Sequence, residues 1–188
     1  MPTSAQTRIL DTATELFSSQ GIRAIGVDTI IAKSGVAKTT LYHHFKSKNE
    51  LVVAYLNQID QSYWRWWDRA IEKQPDEPKE QVLELFRELA KKVSSSKYRG
   101  CPFINTLTEF PDPKHPSRLI IAKNKSEVHH RLKTLLEKIP VNHADTLATQ
   151  LIYLMDGVYS LSMMVGFKNE SAPLVEAAEA LIRAQLRK

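Results

Sequence analysis

The placement of proline limits the fold of this chain more than any other feature. Its 188 residues contain nine prolines. After Pro2 there is none until Pro75, and then come Pro78, Pro102, Pro111, Pro113, Pro116, Pro140 and Pro173. Proline lacks an amide hydrogen and its ring clashes with the preceding turn, so each one marks a helix end or a first turn. The stretches between them carry apolar residues at helical spacing. Nowhere do β-branched residues alternate with polar ones between turn signals. The sequence reads as all-α, with about nine helices. They are expected over residues 4–20, 27–34, 38–45, from about 48 to Gln74, 77–95, 101–109, 116–138, 142–167 and 172–187. Capping boxes are expected at Thr3-Ser4-Ala5-Gln6 and Ser47-Lys48-Asn49-Glu50, and caps at Asp76, Asn142 and Ser171.

Composition narrows the class. Hydrophobic residues make up 43% and charged residues 25%, the balance of a globular protein. No apolar run approaches the about 18 residues of a membrane span. The first residues are polar and lack a signal-peptide core. A single cysteine, Cys101, excludes an internal disulfide. These features predict a cytoplasmic protein with no membrane partner. The net charge is +5, and its distribution is uneven. Between Thr29 and Asn49 stand Lys33, Lys38, Lys46 and Lys48, two histidines, and no Asp or Glu. Such a segment suits an anionic polymer.

The basic segment coincides with a structural pattern. A short helix, a glycine at Gly35 and a second short helix form a helix-turn-helix, whose second helix enters the DNA major groove. Leu41 and Phe45 lie four apart and share an inward face. Lys38, Thr39, Thr40, Tyr42 and His43 are left for another surface, where lysine and hydroxyl groups meet phosphates and small polar groups reach base edges.

The run from Ile30 to Leu51, with Gly35-Val36, Leu41-Tyr42-His43-His44-Phe45 and Ser47-Lys48 at its core, closely resembles the DNA-binding signature of the tetracycline-repressor (TetR) family. The resemblance covers about residues 5–55 and takes in Ala13, Leu16, Phe17 and Gly21. It implies a homodimeric transcription regulator, usually a repressor, whose helical C-terminal domain dimerises and binds a small molecule. On that footing residues 1–50 form a DNA-binding domain and residues 51–188 a ligand-binding and dimerisation domain. The resemblance places Ala37, Lys38, Thr39, Thr40, Tyr42, His43, His44 and Lys48 where members of the family commonly meet DNA. Three positions depart from the pattern: Gly26 replaces a frequent Thr or Ser, Thr39 a frequent Gly, and Ile31 a common Ala.

In the C-terminal half, Leu147, Leu151, Leu154, Val158, Leu161 and Val165 form one stripe, and Ala148, Ile152, Met155, Tyr159 and Met163 another. A helix apolar on two faces lies between two layers, one of which a partner subunit can supply. The interface is expected to use Leu151, Leu154, Val158 and Leu161, with Leu174, Ala178, Leu181 and Ile182 of the last helix. The aromatic cluster Tyr63-Trp64-Arg65-Trp66-Trp67 cannot turn all its rings to one side. Trp64, Trp67, Phe86, Phe103, Met155 and Tyr159 are candidate walls for a hydrophobic or aromatic effector, with Asn105 and Glu109 as polar anchors.

An enzyme is disfavoured. Neither a dinucleotide-binding glycine motif nor a P-loop occurs. Cys101 and His115 are separated by a proline-rich loop with no visible oxyanion device. Glu127-Val128-His129-His130 offers one Glu-x-x-His, whereas di-iron bundles need two. No metal and no cofactor are expected.

Overall fold

The computed structural model describes residues 4–165 and 171–187. Among the described residues there are nine α-helices and no strand: α1 Ala5–Gln20, α2 Val27–Ser34, α3 Lys38–His44, α4 Lys48–Ile71, α5 Pro78–Val93, α6 Pro102–Glu109, α7 Ser117–Leu136, α8 Ala144–Val165 and α9 Ser171–Gln185. The expected continuation of α8 to Phe167, the contribution of Thr3 to the first cap and the side-chain cap of Ser171 lie outside the described residues.

Local chemistry explains the boundaries. Ser4 caps α1, its hydroxyl accepting from the Thr7 amide at 3.1 Å, so the cap falls on Ser4 itself. Gly21 ends α1 at φ +88° and Gly35 ends α2 at φ +64°, conformations that cost a side chain dearly. Ser47 caps α4 by accepting from Glu50 N at 3.2 Å, while the Glu50 carboxylate returns to the Lys46 amide at 2.7 Å. Ser47 is thus the cap the sequence indicates, while the Glu50 carboxylate reaches one residue further back than in a standard capping box. The far end of α4 differs. The helix stops at Ile71, and Lys73 and Gln74 continue only as turns bonded to Ala70 and Ile71. Asp76 does not cap α5; it takes φ +64° in the connection, and Pro78 starts the helix with its φ already set. Asn142 does not cap α8 either. Its amide donates to Gln185 O at 2.9 Å, and the first α8 bond runs from Leu147 N to His143 O.

The chain divides into two compact units, Met1–Gln61 with Pro102–Ala122 and Ser62–Cys101 with Lys123–Lys188. The boundary expected at residue 50 thus falls inside the first unit, which also recruits α6 and the start of α7. In that unit α1 packs on α2 and α3. Ile9, Ala13, Leu16, Phe17, Ile22, Ile25, Ile30, Leu41 and Phe45 are buried, each large side chain contributing about 1.5–3 kcal/mol on leaving water. The early part of α4 is tied to α1 by polar bridges. Thr14 Oγ1 donates to Gln58 Oε1 at 2.6 Å, and Gln58 Nε2 to Asp11 Oδ1 at 2.9 Å. In the second unit α5, α8 and α9 pack together. Val82, Leu85, Phe86 and Leu89 of α5 are fully buried, as are Leu147 and Leu151 of α8 and Ala178 and Ile182 of α9.

Among the described residues of the second unit, one carboxylate is buried. Glu84 Oε1 accepts from Lys73 Nζ at 3.0 Å and Oε2 from Arg87 Nη1 at 3.2 Å. Burial pushes its pKa up, but the hydrogen bonds and charges of Lys73 and Arg87 outweigh that and hold it below the ordinary glutamate value. A carboxyl lowered on folding adds stability above its unfolded pKa and loses it as pH falls through the folded value. Glu84→Gln is therefore expected to cost about 1–2 kcal/mol at neutral pH and to flatten the loss of stability below the ordinary carboxylate range. Urea unfolding across that range checks both effects.

Candidate nucleic-acid interface

The first unit presents α3 by fixing its inner face. Leu41 is 1% exposed and Phe45 5%, which leaves the other sides of a seven-residue helix outward. Ala37 starts α3, its carbonyl accepting from Thr40 and Leu41, without a side-chain cap. Ala37, Lys38, Thr39, Tyr42 and His43 are exposed, and Thr40, His44 and Lys48 are half-buried. All eight residues expected at the DNA face thus lie in one unit with surface to offer. The rings of His43 and His44 meet edge to face at 5.1 Å.

The charges around this surface are less uniform than the basic segment suggests. Asp28, just ahead of the acid-free stretch, places its carboxylate 3.5 Å from Lys38 Nζ. Both side chains are largely in water, so the pair is worth about 0–1 kcal/mol and yields readily to a phosphate. Lys46 turns back to donate to the His43 carbonyl at 3.4 Å, supporting the end of α3. Lys48 carries its ammonium 6.0 Å from the centre of the Phe17 ring. Partial burial holds its pKa below the usual lysine value, offset in part by the Glu109 carboxylate.

The effector candidates do not gather in one unit. Trp67, Phe86, Met155 and Tyr159 are buried in the second unit. Trp64 is half-buried there, 5.9 Å from the Trp67 ring and beneath the Arg131 guanidinium at 4.2 Å. Burial raises the Tyr159 phenol pKa well above its ordinary value. Phe103, Asn105 and Glu109 belong to the first unit instead. Glu109 is engaged there by the backbone amides of Ile22 and Arg23, at 3.0 and 2.5 Å. Nothing in the spacing signals this contact, because its ends lie 86 and 87 residues apart. A cleft of about 410 Å³ in the second unit is lined by Lys133, His143, Asp145 and Arg187 among others, and by none of the eight effector candidates.

The residues expected at a dimer interface also separate. Leu151, Val158, Leu174, Ala178 and Ile182 are buried within the single chain. Helix α8 spends that face on its own subunit, where it packs with α5 and α9, so these five are not on the surface. Leu154 and Leu181 are half-buried and Leu161 is exposed. With Tyr153 and Met164, 70% and 79% exposed, Leu161 marks a second apolar stripe that faces outward.

The sequence profile of bacterial regulatory proteins of the tetR family matches residues 9–55. SCO4454, a TetR-family transcriptional regulator from Streptomyces coelicolor, superimposes over 100% of this chain and 92% of its own with a TM-score of 0.92 at 28% identity. The chain belongs to the TetR family. It is an all-α, DNA-binding transcriptional regulator of that family. The HTH-type transcriptional regulator YjdC of Escherichia coli K12 is 23% identical over 179 residues, 95% of this chain and 92% of that protein. UidR of the same strain is 41% identical over 61 residues, 31% of either chain.

Gly26, the departure at the start of α2, has φ −77° and ψ 156°, extended backbone open to any residue, and caps the helix without a side-chain bond. A Cβ there would meet nothing within 4 Å. Gly26→Ser is therefore expected to stabilise the chain by about 0.5–1 kcal/mol, through a new hydroxyl cap and a less flexible unfolded chain. Thermal unfolding followed by circular dichroism checks the gain.

Proposed function

We propose that this TetR-family regulator is a homodimeric repressor whose operator is bound by α3 in adjacent major grooves and released by a small hydrophobic or aromatic ligand. The observation that carries the DNA-facing assignment is the division of α3: Leu41 and Phe45 inward, and Ala37, Lys38, Thr39, Thr40, Tyr42, His43 and His44 with outward surface. Thr39, Thr40, Tyr42 and His43 offer hydroxyl, methyl and ring nitrogen groups to base edges. Lys38 and Lys48 offer charge to phosphates, which position the protein without reading sequence.

Two copies of α3 must stand about 34–36 Å apart to enter successive major grooves. The outward stripe Tyr153–Leu161–Met164 of α8 is the face that pairs the subunits, with Leu154 and Leu181 at its margin. Exposed apolar rows of this kind mark association surfaces. The effector binds in the second unit, where Trp64, Trp67, Phe86, Met155 and Tyr159 supply aromatic and thioether surface. It acts by favouring an arrangement of the dimer in which the α3 copies no longer match the grooves. A coupling of about 1–3 kcal/mol changes operator affinity about 5–150-fold. The working compartment is the cytoplasm; no helix among the described residues is long and apolar enough to cross a membrane.

Selection of duplexes from a random pool by the purified protein tests the whole reading, which fails if no sequence is enriched. On the selected duplex, Lys48→Ala is expected to weaken binding to all sequences evenly and to reduce the salt slope by about one. An unchanged slope removes Lys48 from the phosphate contacts. Leu161→Lys is expected to shift sedimentation at micromolar concentration from dimer to monomer without loss of helicity. A dimer that survives it places the interface elsewhere.

A further inference from the structure

The loop between α1 and α2 is held by a residue far along the chain. Gly21 ends α1 at φ +88° and ψ 155°, a region that glycine alone occupies without strain. A Cβ at Gly21 would stand at ordinary contact distance from the Glu109 carboxylate, 3.4 Å from Oε1 and 3.7 Å from Oε2, so it is the backbone conformation and not lack of space that calls for glycine here. The next two amides point at that carboxylate. Ile22 N donates to Oε1 at 3.0 Å and Arg23 N to Oε2 at 2.5 Å. Successive backbone amides that converge in this way form a concave anion cradle, and here the chain's own Glu109 fills it. Hydrogen bonds to a charged acceptor are about twice as strong as neutral ones.

A second contact braces the first. The Arg23 guanidinium lies 5.6 Å over the Phe110 ring, and Phe110 stacks on His115 at 4.3 Å and 16°. His115 is held in turn by Ser117, whose backbone N donates to Nδ1 at 3.3 Å. Ile22 and Ile25, on the loop itself, are buried at 2% and 3% exposure. The loop cannot shift without moving these two out of the core on which α2 and α3 rest.

We propose that Glu109 is a positioning residue for DNA binding: its carboxylate holds the Gly21–Arg23 loop in the place from which α2 and α3 present their DNA face. This rests on the DNA-binding reading above. Without the clamp the chain spends only a fraction of its time in the competent arrangement, and the apparent dissociation constant rises by the inverse of that fraction. The sign of the effect separates positioning from charge. Removing a carboxylate from the DNA-binding unit raises its net positive charge, which by itself tightens DNA binding; loss of positioning weakens it.

The test uses the full-length protein and its selected duplex, with Glu109→Gln and Glu109→Asp. Gln keeps the shape but offers one acceptor oxygen to two amides; Asp keeps the charge but is one methylene shorter. Glu109→Gln is expected to bind the duplex about tenfold more weakly, with the salt slope of the wild type and full helicity at the assay temperature. Glu109→Asp is expected to fall between the two, and carries the test if Glu109→Gln does not fold. Amide exchange at Ile22 and Arg23 is expected to accelerate in both variants. Equal or tighter binding by the folded variants, or exchange at the wild-type rate, overturns the positioning role and leaves the DNA reading standing. A wild-type chain that enriches no duplex overturns both.

Discussion

Burial of Leu41 and Phe45 is the interaction on which the rest of the DNA-binding unit depends. A seven-residue helix has no stability of its own in water, because nucleation is costly and few bonds repay it. Helix α3 exists because α1 and α2 take up its apolar side. The same burial fixes its rotation about its axis. Half a turn of rotation error would put Thr39 inside and Leu41 outside, and the polar side chains would no longer face outward. The left-handed Gly35 makes this docking possible by turning the chain sharply after α2.

The first unit is not simply the N-terminus of the chain. It closes with residues 102–122, and the contact that joins this segment to the α1–α2 loop is a carboxylate on two backbone amides. Hydrophobic packing holds α1, α2 and α3 against one another, but it is not directional and tolerates small slides. The bidentate clamp and the Arg23–Phe110–His115 stack supply the direction. The second unit follows a different logic. Its central helix α5 is buried on nearly every side, and the one charge it takes inside, Glu84, is matched by Lys73 and Arg87. Buried charges persist where they are paired.

Much of this was legible beforehand, for physical reasons that can be named. The start of α4 was readable because the Ser47 hydroxyl sets it, whereas the caps of α1 and α5 fall one residue from where the pattern puts them. The start of α8 was misread by one residue: the first bond of the helix is accepted by His143 O, not by Asn142, whose backbone amide pairs instead with Gln185 O. The outward side of α3 was legible because helical spacing alone separates Leu41 and Phe45 from Thr39, Tyr42 and His43. The outward apolar row of α8 was not legible. Spacing grouped Leu161 with Leu151 and Val158 and set Met155 and Tyr159 on a second stripe, but the protomer buries members of both and exposes Leu161 beside Tyr153 and Met164, which neither stripe contained. Packing with α5 and α9 takes Leu151 and Val158 inward and leaves Tyr153, Leu161 and Met164 outside.

By itself, then, the sequence determined what short-range forces determine: the order of the helices, the glycine turn, the inward and outward faces of α3, and the basic run beside it. Tertiary structure alone decided which residues distant in sequence share a neighbourhood. It turned Glu109 from a presumed ligand anchor into a clamp on α1–α2, set Asp28 against Lys38, and moved the expected domain limit from residue 50 to a unit assembled from two segments. The physical reason is range. Helix periodicity and capping act over about four residues, whereas a carboxylate finds its amides only after the whole unit has closed around them.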